Sequence, residues 1–265
     1  MNLRCFRSLG CAANSPCAMN SMPHPFLSGD LQLRNPRNLI SNSKVRVAVF
    51  GSFMGGCHVL RELLFGSLAG RVSVVGVATD DPSQPFTHPT VRLWKYPHTR
   101  NDELMVPTFA TEHEIPVFTG RINSPEFHEL FFDEWKPALC LMATFGQKIP
   151  RSLFDHPRLV FYNFHHSGPT WPSYPGPDPI AAMVRDGRTH LVLTVHRVSD
   201  EIDGGEFVAR SHSVAIPAGV NAIDMHRITW PQMGAFIRRT VELVMRDDVP
   251  NRQSIQELAL LEFGA

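Results

Sequence analysis

Three polar side chains in the chain have the types and spacing needed to stabilise an oxyanion and move a proton. Asn163 and His165 follow the apolar run LVFY (159–162), and Asp203 lies in the acidic segment SDEIDGG (199–205). On an extended chain alternate side chains point the same way, so Asn163 and His165 are expected to share a face. An amide, an imidazole and a carboxylate together supply an oxyanion donor, a proton carrier and an orienting charge. We therefore predict Asn163, His165 and Asp203 as catalytic residues.

These residues need a scaffold, and from Lys44 onward short β-branched runs alternate with segments of helical periodicity. The predicted strands are 45–50, 72–79, 116–118, 138–144, 158–164, 190–198 and 206–216, and the predicted helices are 57–68, 101–115, 124–135, 178–187 and 221–245. Such alternation predicts an α/β fold with a parallel sheet. Ligands in sheets of this kind bind beyond the carboxyl ends of the strands, so the polar residues that follow the strands should converge there.

The overall composition argues against two classes of partner. Twenty-five basic and 25 acidic residues balance to a formal charge of zero, which is unusual for a domain that neutralises nucleic-acid phosphates. No run approaches the length of a membrane-spanning helix. The five cysteines form no CxxC pair, a pattern typical of reduced thiols and a cytoplasmic protein. The sequence does not indicate an oligomeric state.

The two ends of the chain differ from its centre. Residues 1–43 are rich in Ser, Asn, Pro and Arg, which predicts a disordered leader or a start codon assigned too early, with an organelle-targeting leader as the alternative. Residues 44–217 are predicted to form the catalytic core. Residues 218–265 are predicted to form a helical extension that packs on this core.

Three separated motifs carry a family resemblance. Asn163-x-His165 is followed by Ser167 and a Pro-rich turn that closes at Gly176, and TVHRVSDEIDGG (194–205) contains His196 and Asp203. With MATFGQK (142–148), these motifs resemble the folate-dependent formyltransferases. The resemblance implies a Rossmann-like fold, with a mostly parallel twisted sheet flanked by helices. It also implies formyl transfer from 10-formyltetrahydrofolate to an amine, without a metal.

The resemblance further implies roles for individual residues. Asn163 would donate to the oxyanion, and Asp203 would raise the pKa of His165 or accept the amine proton. His196 is expected to make a structural hydrogen bond near the site. The implied folate-binding residues are Met142, Ala143, Thr144, Phe145, Gly146, Val198, Asp200, Glu201 and Ile202. Candidates for binding the amine follow strand ends or lie in the Pro-rich turn, and they are Ser52, Arg92, Lys95, Tyr96 and Trp171.

The identity of the amine is approached through departures from the family pattern. GSFMGG (51–56) lacks the Asn of the glycinamide-ribotide branch, and little sequence follows Pro217 where the methionyl-tRNA branch has a further domain. These departures favour a small-molecule amine or hydroxylamine, such as N5-hydroxyornithine in siderophore biosynthesis. An amino-sugar, methionyl-tRNA or glycinamide-ribotide formyltransferase and a formyltetrahydrofolate hydrolase remain alternatives. A non-catalytic nucleotide-binding module is a further alternative, although GSFMGG matches GxGxxG poorly.

Overall fold

The computed structural model of the protein describes residues 44–83, 98–176 and 178–245. The predicted leader, 1–43, lies outside the described residues, as do the last twenty residues of the predicted carboxyl-terminal extension, 246–265. The loop residues Arg92, Lys95 and Tyr96 also lie outside them.

A single mixed sheet forms the centre of the described structure. Its strands are β1 (Val45–Gly51), β2 (Val72–Ala78), β3 (Val117–Phe118), β4 (Leu139–Ala143), β5 (Val160–Ser167), β6 (His190–Arg197), β7 (Phe207–Arg210) and β8 (Val214–Ala215). The order is β3-β2-β1-β4-β5-β6-β7, with β8 also paired to β6. The first five strands are mutually parallel, whereas β6 runs antiparallel to β5, β7 and β8. The mostly parallel α/β prediction is therefore confirmed.

Helices flank the sheet and connect its parallel strands. They are α1 (Phe53–Phe65), α2 (Arg100–Glu112), α3 (Pro125–Glu129), α4 (Arg151–Phe154), α5 (Pro179–Arg185), α6 (Ala222–Thr229) and α7 (Gly234–Met245). A π-helix, Leu130–Trp135, continues α3. Ser124 and Asp178 accept backbone hydrogen bonds at the starts of α3 and α5, as their sequence context predicts. No helix in the described ranges is long and apolar enough to cross a membrane.

Two predicted elements are each divided in the structure. The predicted strand 206–216 is two strands, because at Ser211 the side-chain hydroxyl, and not a backbone carbonyl, accepts from the Leu193 amide at 2.9 Å. The predicted helix 221–245 is α6, a 3₁₀ turn at Trp230–Gln232, and α7. Pro231 lacks the amide hydrogen that a continuous helix would need at this point.

The first helix begins earlier than the sequence pattern predicts, at Phe53 instead of residue 57. This early start requires the helix to pass close to the end of β1. A Cβ on Gly56 would lie 2.6 Å from the backbone carbon of Gly51, so only glycine permits the approach. The tight turn holds Ser52 at the carboxyl end of β1, where the neighbouring strands also end.

The core lies on both faces of the sheet. One face packs against α1, α6 and α7 and includes Phe164, Trp230 and Phe236. The other face is a largely aromatic cluster containing Phe50 and Phe161. Because β5 is buried on both faces along nearly its whole length, its register with β4 and β6 is firmly determined. That register places Asn163 opposite His196 and His165 opposite Thr194.

Candidate active site

Asn163 is held by a buried hydrogen-bond network at the junction of β5 and β6. Its amide nitrogen donates to Asp203 Oδ1 at 2.9 Å and lies 3.1 Å from His196 Nε2. His196 Nδ1 donates to the Arg197 carbonyl at 2.9 Å, so the neutral imidazole has its lone pair on Nε2 and accepts from Asn163. Both amide hydrogens of Asn163 are thus engaged, which fixes the orientation of the side chain.

His165 is oriented by the Pro-rich turn. Its Nε2 lies 3.0 Å from the Tyr174 carbonyl, and because a carbonyl only accepts, Nε2 carries the hydrogen. Nδ1 then faces Asp203 Oδ2 at 3.6 Å. In the neutral ring Nδ1 has a lone pair, so it is positioned to take a proton and form an ion pair with Asp203.

Burial controls the protonation of this pair. Burial lowers the pKa of His165 below its usual value, although the Asp203 carboxylate acts in the opposite direction. Asp203 therefore acts on the pKa of His165 in the expected direction, but desolvation outweighs its charge and the net pKa is lowered. Burial would raise the pKa of Asp203, but the nearby His196 and His165 and the hydrogen bond from the Gly176 amide together lower it. The resting site therefore holds a neutral His165 beside an ionised Asp203.

Asp203 occupies a tightly defined turn between β6 and β7. Its backbone has a φ of 50°, in the left-handed region, and its Oδ2 accepts from the Gly176 amide at 2.8 Å. The carboxylate therefore joins the Pro-rich turn to both Asn163 and His165. Trp171, predicted to bind the amine, instead stacks on His196 with ring centroids 4.8 Å apart and packs against Phe207. This contact holds the His196 ring in place.

A cavity of about 390 Å³ opens beside this network. Asn163, His165, His196 and Asp203 all line it. Seven of the predicted folate-binding residues line it too, namely Met142, Thr144, Phe145, Gly146, Val198, Glu201 and Ile202. Ala143 is buried within β4, and Asp200 is exposed and pairs with Arg151 at 3.1 Å, so neither residue contributes to the wall. The cavity and the network together can hold a substrate against an oxyanion donor and a proton acceptor.

Ser52, a predicted amine-binding residue, is used inside the protein instead. It is 2 % exposed, its hydroxyl donates to Asp80 Oδ2 at 2.9 Å, and it accepts from the Asp80 amide at 3.0 Å. Asp80 Oδ2 also accepts from the Gly146 amide at 2.6 Å. The pair thus ties the ends of β1 and β2 to the 144–148 segment that forms one wall of the cavity.

Asp80 is buried without a cation among its contacts in the described residues, and burial raises its pKa to about 6 despite the hydrogen bonds it accepts. Because the pKa of Asp80 is higher in the folded chain than in the unfolded chain, Asp80 contributes stability at pH values below its unfolded pKa. This contribution is lost as the pH rises through about 6. Asp80→Asn is therefore expected to increase the free energy of unfolding above pH 7, relative to wild type, by up to about 3 kcal/mol. Urea denaturation from pH 4 to 8 measures the difference.

The control for this experiment is Asp81→Asn, which removes the neighbouring, only half-buried carboxylate. Identical pH dependence of unfolding in Asp80→Asn and wild type would show that Asp80 does not titrate in this range.

Several site residues were missed by sequence reasoning or assigned a lesser role. His196 makes the structural hydrogen bond expected of it, which orients Asn163, and it also lines the cavity. His166, Asp178 and His226 also line the cavity. His226 carries no motif signal, because it comes from α6, 59 residues after β5 ends at Ser167. The described residues contain no cluster of three or more His, Cys, Asp or Glu side chains arranged to hold a metal.

Comparison with known proteins gives consistent relatives. The methionyl-tRNA formyltransferase of Syntrophomonas wolfei is 28% identical over 201 residues, covering 75% of this chain and 59% of that protein. The one from Staphylococcus epidermidis is 32% identical over 160 residues, covering 59% of this chain and 49% of that protein. The chain thus spans about half the length of these curated relatives.

Solved structures share the fold. The phosphoribosylglycinamide formyltransferase from Anaplasma phagocytophilum has a TM-score of 0.58 at 18% identity, covering 77% of this chain and 89% of that one. A formyltetrahydrofolate deformylase from Pseudomonas syringae pv. tomato has a TM-score of 0.56 at 19% identity, covering 77% of this chain and 62% of that one. The family model described as formyl transferase matches residues 94–229, just over half of the sequence and most of the residues that build the site. By this match, the chain belongs to the formyl transferase family.

Proposed function

We propose that the protein transfers a formyl group from 10-formyltetrahydrofolate to the amine of a small molecule. The observation that carries this proposal is the Asn163–His165–Asp203 arrangement on the wall of a cavity within a formyl transferase fold. An amide donor and an imidazole–carboxylate pair meet the two requirements of the reaction. They stabilise negative charge on the formyl oxygen and remove a proton from the attacking amine.

Asn163, His165 and Asp203 each have one role in this reaction. The amine nitrogen forms a bond to the formyl carbon, the carbon–nitrogen bond to the folate breaks, and the proton lost by the amine is returned to the folate nitrogen. Asn163 gives up one of its two internal hydrogen bonds to donate to the formyl oxygen. His165 Nδ1 takes the amine proton, and the resulting imidazolium is stabilised by Asp203 Oδ2, which lies 3.6 Å away.

The chemistry of the cavity wall suits a folate. Met142, Phe145 and Ile149 supply apolar surface, and Ile202 is 56% exposed at the same wall. A flat pterin ring would cover such surface, which is otherwise unfavourable to leave in water. Gly146 and Gln147 line the same wall.

The acceptor is the finer part of the proposal. N5-hydroxyornithine remains one candidate, and its basis is the sequence of the loop with Arg92, Lys95 and Tyr96, which lies outside the described residues. Similarity to methionyl-tRNA and phosphoribosylglycinamide formyltransferases keeps both of their named substrates among the acceptors to be tested. Similarity to a formyltetrahydrofolate deformylase adds hydrolysis as a second candidate reaction.

A product assay distinguishes these reactions. The protein is incubated with 10-formyltetrahydrofolate and, separately, N5-hydroxyornithine, glucosamine, glycinamide ribotide and methionyl-tRNA, and products are identified by mass spectrometry. We expect formylation of a small amine together with stoichiometric formation of tetrahydrofolate. Formate release without any acceptor would instead assign hydrolysis. If the protein consumes no formyl donor under any of these conditions, the proposed function is wrong.

A further inference from the structure

The cavity continues past the catalytic network around the end of the sheet. Asn163 and His165 lie on one face of β5, and His166, the next residue, lies on the face that packs against α6. Residues from both faces of β5 nevertheless line the same cavity, together with Asp178 and His226. These residues form a second polar region that the proposed formyl-transfer step does not use.

His166 carries an unmet hydrogen-bonding group in this region. The residue is 4 % exposed, and none of the described residues provides a hydrogen-bond partner for its Nε2. Its ring packs edge-on against His226 at 4.7 Å and against Trp230 at 5.4 Å. Buried polar atoms in folded proteins nearly always have a partner, so an unpartnered imidazole nitrogen on a residue that lines a cavity points to a ligand.

His226 and Asp178 add a donor and an acceptor. Trp230 Nε1 donates to His226 Nδ1 at 3.0 Å, so the neutral His226 ring carries its hydrogen on Nε2. Asp178 Oδ1 accepts from the Ala181 amide at the start of α5, which leaves its second oxygen without a capping role. The region therefore offers imidazole and carboxylate groups within one wall of the cavity.

The charge of this region restricts what it can bind. Burial lowers the pKa of His226 to about 4 and that of His166 well below its usual value, so both rings are neutral at pH 7. Among the described residues that line the cavity, Lys148 is the one Lys or Arg side chain, and it is exposed. A phosphate bound here would face Asp178 without a buried cation, whereas hydroxyl groups both donate and accept and match neutral imidazoles and a carboxylate.

We propose that His166, His226 and Asp178 form the acceptor subsite and recognise the hydroxyl groups of an unphosphorylated amine. This inference rests on the proposed formyl transfer, because it assigns the remaining half of the same cavity to the second substrate. His166 Nε2 makes the central hydrogen bond to the acceptor. His226 and Asp178 hold a second hydroxyl.

Two substitutions at His166 test the hydrogen bond. His166→Phe keeps a flat ring but removes the nitrogen, and His166→Gln places an amide near the position of Nε2. With glucosamine as the varied substrate, His166→Phe is expected to raise the acceptor KM about tenfold or more, and His166→Gln should stay within about threefold of wild type. The KM for 10-formyltetrahydrofolate should not change in either variant.

Thermal unfolding provides a readout that a purely structural role would not share. His166→Phe removes a buried nitrogen without a partner, so its Tm in the absence of substrates should equal or exceed that of wild type. A lower Tm together with equal losses for both substrates would show that His166 only supports the fold. An unchanged acceptor KM in a stable His166→Phe variant would also overturn the proposal.

The ligand class is tested by direct binding to the wild-type protein saturated with tetrahydrofolate. Calorimetric titration should give tighter binding of glucosamine than of glucosamine 6-phosphate. Tighter binding of the phosphorylated sugar, or binding of neither, would overturn the proposed class. The proposed function is tested by a different result: it is wrong if the wild-type protein transfers no formyl group to any acceptor in the product assay.

Discussion

Asp203→Asn is expected to lower kcat by about a hundredfold or more while leaving the protein folded. The substitution keeps the size of the side chain but removes the negative charge beside His165 Nδ1, 3.6 Å away. Without that charge, an imidazolium formed in a buried position loses its stabilising partner. The amide also cannot accept from both Asn163 and the Gly176 backbone, which Asp203 does at 2.9 and 2.8 Å. Single-turnover formyl transfer with both substrates saturating measures the effect.

Asp200→Asn is a matched control for this experiment. Asp200 lies in the same loop, but its carboxylate is exposed and pairs with Arg151, outside the cavity wall. Its loss should leave kcat near the wild-type value. Near-wild-type turnover in Asp203→Asn would contradict the proton-acceptor arrangement, and an equal loss in both variants would indicate damage to the whole loop.

Gly205→Ala is expected to destabilise the protein by about 3 kcal/mol and to impair catalysis as well. A Cβ at this position would lie 1.9 Å from the Arg197 carbonyl oxygen, a backbone atom that cannot move without disturbing the pairing of β6 and β7. The same carbonyl accepts from His196 Nδ1, and His196 in turn accepts from Asn163. The clash is therefore transmitted to the amide that would contact the formyl oxygen.

Gly70→Ala provides the comparison, because a Cβ at Gly70 meets no atom within 4 Å. Urea denaturation of both variants should give a large loss for Gly205→Ala and little change for Gly70→Ala. If Gly205→Ala unfolds at the same urea concentration as the wild-type protein, the close approach of Gly205 to the Arg197 carbonyl oxygen is wrong.

Local features of the chain were readable from the sequence because they depend on neighbouring residues. The two-residue spacing of Asn163 and His165 already places them on one face of a strand, and β5 continues through both of them to Ser167. Asp178 followed by Pro179 predicts the start of α5, and Asp178 accepts the Ala181 amide there. The order of strands and helices likewise predicts an α/β fold.

Direction and pairing of distant elements were decided only by the tertiary structure. Periodicity reports which residues face a core but not which way a strand runs, so the antiparallel β6, which brings His196 opposite Asn163, was not predicted. The burial of Ser52 with Asp80 and the meeting of His226 with His166 depend on packing between segments far apart in the chain. The sequence pattern therefore predicts the candidate catalytic side chains and their local spacing. The fold decided their partners, their protonation and the second polar region of the cavity, because desolvation and long-range pairing exist only once the chain is packed.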